Sequence, residues 1–314
     1  GIWLSILGNY GIYPMILSVS LGSLVNFILL YFGSFKYIKY HLILDRETVK
    51  EIWEVSWPLA ITISLTLIYF RFDTIIMSLT RPANEVGIYG SAYKVLEILV
   101  QFPYLFLGLI LPLLTSFYTI NRRLFDKLLS KAFDFMAIIV VPMVIATWII
   151  GDKIMKFIAG DQFVIAADPL SILIVATAMI YFSALFGYAI VAIGKQKKMI
   201  GFYLFDAIFS LIAYLIFIPL YSYWAAAILT VITEAIIMIA AWRLLTKEVD
   251  FRIKWQVFFK TLLAAVTMSI FLEIFNNQSL ITLIIIGVTV YFLILYLLRG
   301  IKKEDLKELI KLPS

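Results

Sequence analysis

Four charged residues, Arg71, Asp73, Lys94 and Glu97, flank one predicted turn inside strongly apolar sequence. The turn centres near Ala83, so Asp73 lies 10 residues before it and Lys94 lies 11 residues after it. Because a helix rises about 1.5 Å per residue, equal distances from a tight turn place side chains of two antiparallel helices at similar depth. One interpretation is two ion pairs that lock the hairpin, Asp73 with Lys94 and Arg71 with Glu97.

The other interpretation of this hairpin is a surface that binds an anion. A guanidinium group recognises phosphate through two parallel hydrogen bonds, so Arg71 together with Lys94 would hold an anionic headgroup. Charges inside apolar membrane segments are costly and usually face a bundle interior or a water-filled cavity. We therefore predict Arg71 and Lys94 as substrate-binding residues of a cavity wall, and Asp73 and Glu97 as structural ion pairs or coupling groups.

Glu234 lies near the middle of another apolar run, AAAILTVITEAIIMIAAW, where it needs a partner or a proton, and it is a candidate for ion or proton coupling. We expect Asp134 and Asp206 to lie near the inner ends of their helices, where water solvates them. The chain has no cysteine and one histidine, His41, and it lacks a glycine-rich nucleotide motif. We therefore predict no metal site, no cofactor and no catalytic residue, as in a transporter rather than an enzyme.

The composition indicates that lipid surrounds these residues. Of the 314 residues, 63% are hydrophobic and only 15% are charged, which is more apolar side chain than a water-soluble fold hides. About nine apolar runs are long enough to cross some 30 Å of hydrocarbon as helices, with little strand-like alternation. They lie at 11–34, 55–79, 88–119, 133–151, 168–193, 200–219, 224–245, 257–275 and 280–298. We predict an all-α polytopic membrane protein.

The distribution of Lys and Arg predicts the topology of these helices. The intervening connections hold only Arg81, Lys153 and Lys156, whereas five alternate segments hold 20 basic residues. Those segments are 35–54, 120–132, 194–199, 243–256 and 299–314. Because positively charged loops stay in the cytoplasm, we predict that these segments, and with them the C-terminus, are cytoplasmic. The formal net charge of +6 reflects this bias and is not evidence for nucleic-acid binding.

The sequence of the charged hairpin resembles the polysaccharide transporter (Wzx-type) family. That family's pattern is a proline-opened helix, an Asp followed by aliphatic residues, a short loop ending in EVGIY, then Ala-Tyr-Lys and a Glu. The matching positions here are Pro58, Asp73, Glu85, Val86, Gly87, Ile88, Tyr89, Ala92, Tyr93, Lys94 and Glu97, with the later Pro112. The family is part of the MOP flippase superfamily, with the MATE exporters and the MurJ-like lipid II flippases.

The resemblance implies two six-helix bundles and two extra C-terminal helices. Residues 1–34 would then be the last part of the N-terminal bundle, and 55–245 would be the second six-helix bundle. The segment 35–54 would be an amphipathic cytoplasmic linker, 246–298 the terminal helix pair and 299–314 a basic cytoplasmic tail. Since the chain starts at Gly1 and most of the first bundle is missing, we expect a fragment of a longer protein.

The resemblance also implies a flippase in the cytoplasmic membrane of a prokaryote. Its substrate would be a polyprenyl-pyrophosphate-linked oligosaccharide, such as an O-antigen, teichoic acid or exopolysaccharide unit. Its partners would be that lipid-linked glycan, membrane lipids and a coupling ion, sodium or proton, without nucleic acid. The main alternative is a MATE-like ion-coupled exporter of small molecules, for which Glu234 and Asp73 are the best residues. A glycosyltransferase or polymerase, which would need larger outer loops, and an inactive remnant stay open as further alternatives.

Overall fold

The structure, a computed structural model, describes residues 13–35, 45–251, 253 and 255–300. These residues form α-helices joined by short connections, and none of them lies in a β-strand. Short 3-10 helices, Asp161–Ala166 and Gln196–Met199, precede the sixth and seventh α-helices. The α-helices are α1 (Tyr13–Ser34), α2 (Arg46–Thr80), α3 (Ala83–Leu99), α4 (Gln101–Ile120), α5 (Arg122–Ala159), α6 (Ala167–Ala192), α7 (Ile200–Glu248), α8 (Trp255–Ile274) and α9 (Leu280–Leu297).

Seven helical stretches among the described residues are long and apolar enough to cross a bilayer. Two of them are longer than a single crossing needs, Ala83–Ile120 with 38 residues and Gln196–Glu248 with 53. Large apolar side chains face outward along these helices, for example Leu105 and Leu109, which are 70% and 79% exposed. Such a surface is stable against lipid rather than water. The chain is therefore a multi-pass membrane protein, and the predicted all-α class is confirmed.

The helix α7 is a hairpin and not one straight rod. A straight helix of 49 residues would be about 74 Å long. Yet Lys198, just before α7, forms an ion pair with Glu248 at its far end. The chain reverses at Ser222, whose φ of 55° and ψ of −139° are not helical, three residues after Pro219. The helix therefore supplies two antiparallel crossings.

The two arms of α7 correspond to the predicted spans 200–219 and 224–245. The predicted span 55–79 lies within α2, which is not one of the seven stretches. Residues 46–54, predicted as the end of an interfacial linker, instead form the first turns of α2, because the sequence offers no glycine or proline there to end a helix. Most of that predicted linker, 36–44, lies outside the described residues.

The chain divides into two compact units, Gly1–Val55 and Ser56–Ser314. In the first unit, the described helix α1 is apolar and exposed along its length. The second unit contains α3 to α9 and two clusters of buried apolar side chains. One cluster includes Phe125 and Met136, and the other includes Tyr89 and Leu96. The second cluster surrounds the charged hairpin and positions its helices.

Polar contacts between connections assign the helix ends of the second unit to two sides. On one side Lys195 and Lys198 both approach Glu248. On that side too, the Lys260 ammonium donates to the carbonyl of Arg299 at 3.1 Å. Lys195 and Glu248 flank two different connections, and both are among those that the charge pattern predicts to be cytoplasmic.

The opposite helix ends of this unit are joined in the same way. The Arg81 guanidinium donates to the carbonyl of Pro219 at 3.3 Å. The Lys153 ammonium donates to the carbonyl of Gln278 at 3.0 Å. Each of these bonds joins two connections that the charge pattern predicts to lie outside. The helices of the second unit thus alternate in the order that the Lys and Arg distribution predicts.

A proline inside α5 leaves a carbonyl without its helical donor, and a tyrosine from another helix binds that carbonyl. Pro142 has no N–H, so it cannot donate to the carbonyl of Ile138 four residues earlier. The hydroxyl of Tyr291, in α9, donates to this carbonyl at 2.7 Å. The bond compensates for the missing helical bond in apolar surroundings and ties α9 to α5.

A second bond of this kind lies where α3 passes into α4. Pro103, in the first turn of α4, supplies no N–H for the carbonyl of Leu99, and the helix is interrupted at Val100. The hydroxyl of Tyr181, in α6, donates to the Leu99 carbonyl at 3.1 Å. The interruption between α3 and α4 is thus explained by a proline and stabilised by a tyrosine of a neighbouring helix.

We expect Tyr291→Phe to lower the free energy of unfolding by about 1–2 kcal/mol, because the Ile138 carbonyl loses its donor. In a Pro142→Ala background the helix recovers its own N–H for that carbonyl, so the same substitution should cost clearly less. Thermal unfolding of the four proteins in one detergent measures this double-mutant cycle. Equal costs in both backgrounds would show that the tyrosine does not act through the carbonyl that the proline leaves free.

Candidate functional site

The tight connection between α2 and α3 brings Arg71 next to Glu97. The first helix ends at Thr80 and the second begins at Ala83, so residues at similar distances from the connection face one another. The Arg71 Nη1 atom lies 2.5 Å from the Glu97 Oε1 atom. The predicted ion pair between these two residues is present, and it fixes the register of the hairpin.

Lys94 binds the same carboxylate from within α3. Its Nζ atom lies 2.7 Å from the second carboxylate oxygen, Oε2 of Glu97. Residues three apart lie on one face of a helix, which makes this pairing local. The interpretation that paired Lys94 with Asp73 is therefore wrong, since Lys94 points along its own helix while Asp73 faces the buried side of α2.

The three side chains Arg71, Lys94 and Glu97 form what we call the hairpin triad. Its two cations are open, with 55% of the Arg71 side chain and 72% of the Lys94 side chain exposed, whereas Glu97 is 15% exposed. The triad carries two positive charges and one negative charge. Most of the five N–H donors of the guanidinium and of the three donors of the ammonium are left for another acceptor. The arrangement can therefore bind an anion without giving up its internal ion pairs.

Asp73 lies behind the triad and is 1% exposed. The hydroxyl of Tyr89 donates to its Oδ2 atom at 2.5 Å, and the N–H and hydroxyl of Thr74 donate to its Oδ1 atom at 2.5 and 3.1 Å. The Tyr89 hydroxyl also lies 3.4 Å from the hydroxyl of Thr230 in α7. Asp73 is thus an acceptor that joins α2, α3 and α7, and these donors already satisfy both of its oxygens.

A second charged cluster closes the end of this hairpin beside the reversal of α7. Arg81 donates to both carboxylate oxygens of Glu85, at 2.7 and 3.0 Å, and also to the carbonyl of Pro219. The hydroxyl of Ser222, at the point of reversal, donates to the same carboxylate. These bonds join the α2–α3 connection to the α7 bend and hold the two hairpins in register.

Glu234 is 2% exposed and lies on the second arm of α7. Asp206, on the first arm, is fully buried. The expectation that water solvates Asp206 near a helix end is wrong, because packing of the α7 arms against neighbouring helices removes it from the surface. Within the described residues, no three His, Asp or Glu side chains come together as a metal site would require.

Sequence reasoning missed the tyrosines that line this interior, Tyr89, Tyr93 and Tyr214. In sequence they resemble the many tyrosines of membrane interfaces, and burial distinguishes them only after the helices are packed. A signal existed for Asp206, since it lies 16 residues before the α7 reversal and Glu234 lies 12 residues after it. The depth argument that placed Arg71 opposite Glu97 would have placed these acids on facing arms.

The fold is similar to that of a solved lipid flippase. The lipid II flippase MurJ, in an inward closed conformation, superposes with a TM-score of 0.67 at 16% sequence identity. The match covers 85% of this chain and 58% of that structure, so the chain spans a little over half the length of MurJ. At this identity the likeness shows the fold. Fold and composition together define a helical, multi-pass membrane protein of the MurJ-like type.

The sequence comparison identifies a family for the N-terminal part of the chain. Residues 2–118 match the family model described as "Polysaccharide biosynthesis protein", and this segment includes the whole hairpin triad. A search of curated proteins finds no significant match. The resemblance to polysaccharide transporters and MurJ-like flippases, first seen in the hairpin sequence, is confirmed by the two matches.

Proposed function

We propose that the protein is a transporter that flips a polyprenyl-pyrophosphate-linked oligosaccharide across the cytoplasmic membrane of a prokaryote. The candidate cargo is an O-antigen, teichoic acid or exopolysaccharide unit, which moves from the inner to the outer leaflet. The observation that carries this proposal is the hairpin triad, whose exposed cations are held by one carboxylate within a MurJ-like helical unit. No covalent chemistry is required, so the protein acts as a transporter and not as an enzyme.

Arg71 and Lys94 suit the charged part of this substrate. A pyrophosphate presents several oxygen acceptors in a small space, and a guanidinium with a nearby ammonium matches that chemistry. Glu97 keeps the two cations close together and lowers their mutual repulsion. The polyprenyl tail would stay in the lipid while the sugars cross beside the open side of the hairpin. A coupling ion, sodium or proton, would supply the energy.

The orientation we propose follows from the basic connections. The side of the second unit that carries Lys195, Lys198 and Lys260 also has most of the basic residues of the described loops, which is typical of a cytoplasmic side. The Arg81 and Lys153 connections would then face outward. This orientation puts the C-terminus in the cytoplasm and the hairpin triad nearer the outer leaflet.

A translocation assay tests the proposal. Liposomes containing the protein and a fluorescent polyprenyl-pyrophosphate oligosaccharide are treated with an impermeant quencher, which reaches only the outer leaflet. We expect the quenched fraction to rise well above that of protein-free vesicles. An equal fraction in both would contradict flipping of this substrate. Resistance to cationic drugs that depends on sodium or protons would instead support the MATE-like alternative, for which the buried Glu234 is the favouring observation.

A further inference from the structure

Two acids on facing arms of α7 are the least compensated polar groups in the described interior. Asp206 is 0% exposed and Glu234 is 2% exposed. Neither oxygen of the Asp206 carboxyl has a hydrogen-bond partner, and the Glu234 Oε1 atom has none. Buried polar atoms are almost always hydrogen-bonded, so three such atoms in one region call for a physical explanation.

No basic side chain of the described residues pairs with either acid. The two carboxyl groups lie within electrostatic range of each other. An ionised carboxylate in an apolar interior without a counter-charge carries a very large solvation cost, and a second negative charge nearby adds repulsion. The physical resolution is that a proton occupies the pair. A protonated carboxyl also gains an O–H donor, which the unpaired oxygens require.

The other titratable groups that face the pair are tyrosines. Tyr93 from α3, Tyr104 from α4 and Tyr203 from the first arm of α7 lie within electrostatic range of Glu234. Tyr203 and Tyr214 lie within that range of Asp206. Asp73 influences Tyr214 but has donors of its own. Tyrosines are neutral, so they can donate or accept a proton in a hydrogen bond without balancing a carboxylate charge.

From these observations we propose that Asp206 and Glu234 form a proton-binding site inside the second unit. The bond that forms is an O–H bond on one carboxyl oxygen. On release, the proton leaves to water and the pair becomes ionised, which requires the arms of α7 to separate or water to enter. The site is therefore occupied in the packed arrangement seen here.

A polar path links this proton site to the hairpin that carries Arg71. Thr233, next to Glu234 in the chain, hydrogen-bonds with Tyr214, as does Thr230. Thr230 in turn lies beside Tyr89, the donor to Asp73. Release of the proton would thus disturb the packing of α7 against α2 and α3. A use of this coupling in transport rests on the proposed function, whereas the proton site itself does not.

Infrared difference spectroscopy of the protein in lipid bilayers tests the site. A protonated carboxyl has a C=O stretching band that an ionised carboxylate lacks. We expect the wild type to show this band at neutral pH and to lose it on alkaline titration, and the double variant Asp206→Asn with Glu234→Gln to lose most of it. The matched control Asp152→Asn, which removes an exposed acid, should keep the band. An unchanged band in the double variant would overturn the proposal.

Sodium provides the second arm of the experiment. If the pair binds a metal cation instead, sodium will weaken the carboxyl band and raise the unfolding temperature of the wild type but not of the double variant. That result would overturn the proton assignment, and insensitivity to sodium supports it. The spectra involve no glycan, so a failed translocation assay with an intact carboxyl band would reject the proposed substrate and leave the proton site standing.

Discussion

Replacing both Arg71 and Lys94 with alanine is expected to reduce glycan export about tenfold or more in a strain that depends on this protein. Each cation offers charge-assisted hydrogen bonds worth about 1.5–3 kcal/mol to an anionic ligand, and about 1.4 kcal/mol corresponds to a factor of ten. The side chains are exposed in the unit described here, so the loss should appear in transport more than in folding. Export is measured as surface glycan per cell at equal protein level.

A matched control removes two exposed basic residues far from the triad. Arg123→Ala with Lys247→Ala changes the net charge equally and should leave export close to wild type. Glu97→Gln separates the two interpretations of the triad: a binding surface keeps both cations and retains export, whereas a purely structural staple fails as badly as the double alanine variant. Wild-type export by the Arg71 and Lys94 variant would reject the proposed role of these cations.

The second large effect is expected at Asp73, where Asp73→Ala should lower the free energy of unfolding by about 1–3 kcal/mol. The substitution removes the acceptor 2.5 Å from the Tyr89 hydroxyl. The hydroxyl of Thr230, at 3.4 Å, is too distant to replace it fully. Thermal unfolding in detergent measures the loss, and Asp73→Asn, which keeps an acceptor oxygen, should lose less.

Asp152→Ala provides the reference for this measurement, because Asp152 is an exposed acid and should have little effect on stability. A different outcome would also be informative. If Asp73→Ala unfolds like the wild type but abolishes export, then Asp73 takes part in transport and the structural role assigned to it here is wrong.

The proton site and the hairpin triad suggest how one membrane unit can join an anionic cargo to an ion. The triad is open and cationic, whereas Asp206 and Glu234 are closed and acidic. Both contact the set of helices α2, α3 and α7, with the buried Asp73 and its tyrosine partner between them. Opposite charges kept apart in one packed unit do not neutralise each other, so each can respond to its own ligand.

The sequence by itself determined the membrane class, the helical fold and the alternation of helix ends. These follow from properties that each segment carries alone: a long apolar run must cross lipid as a helix because its backbone has no other partner there. Basic loops mark one side for a similarly local reason. The register of the charged hairpin was also predictable, since the tight connection before Ala83 leaves only one way to oppose Arg71 and Glu97.

Only the tertiary structure decided which polar groups are paired and which are buried. The assignment of Lys94 to Glu97 rather than to Asp73 depends on the rotation of α2 and α3 about their axes, and the packing of neighbouring helices sets that rotation. The isolation of Asp206 depends on the reversal of α7 at Ser222 and on what covers both arms. Apolar sequence drives each helix into lipid, but it contains little information about the facing partners, because nearly every face of such a helix is apolar.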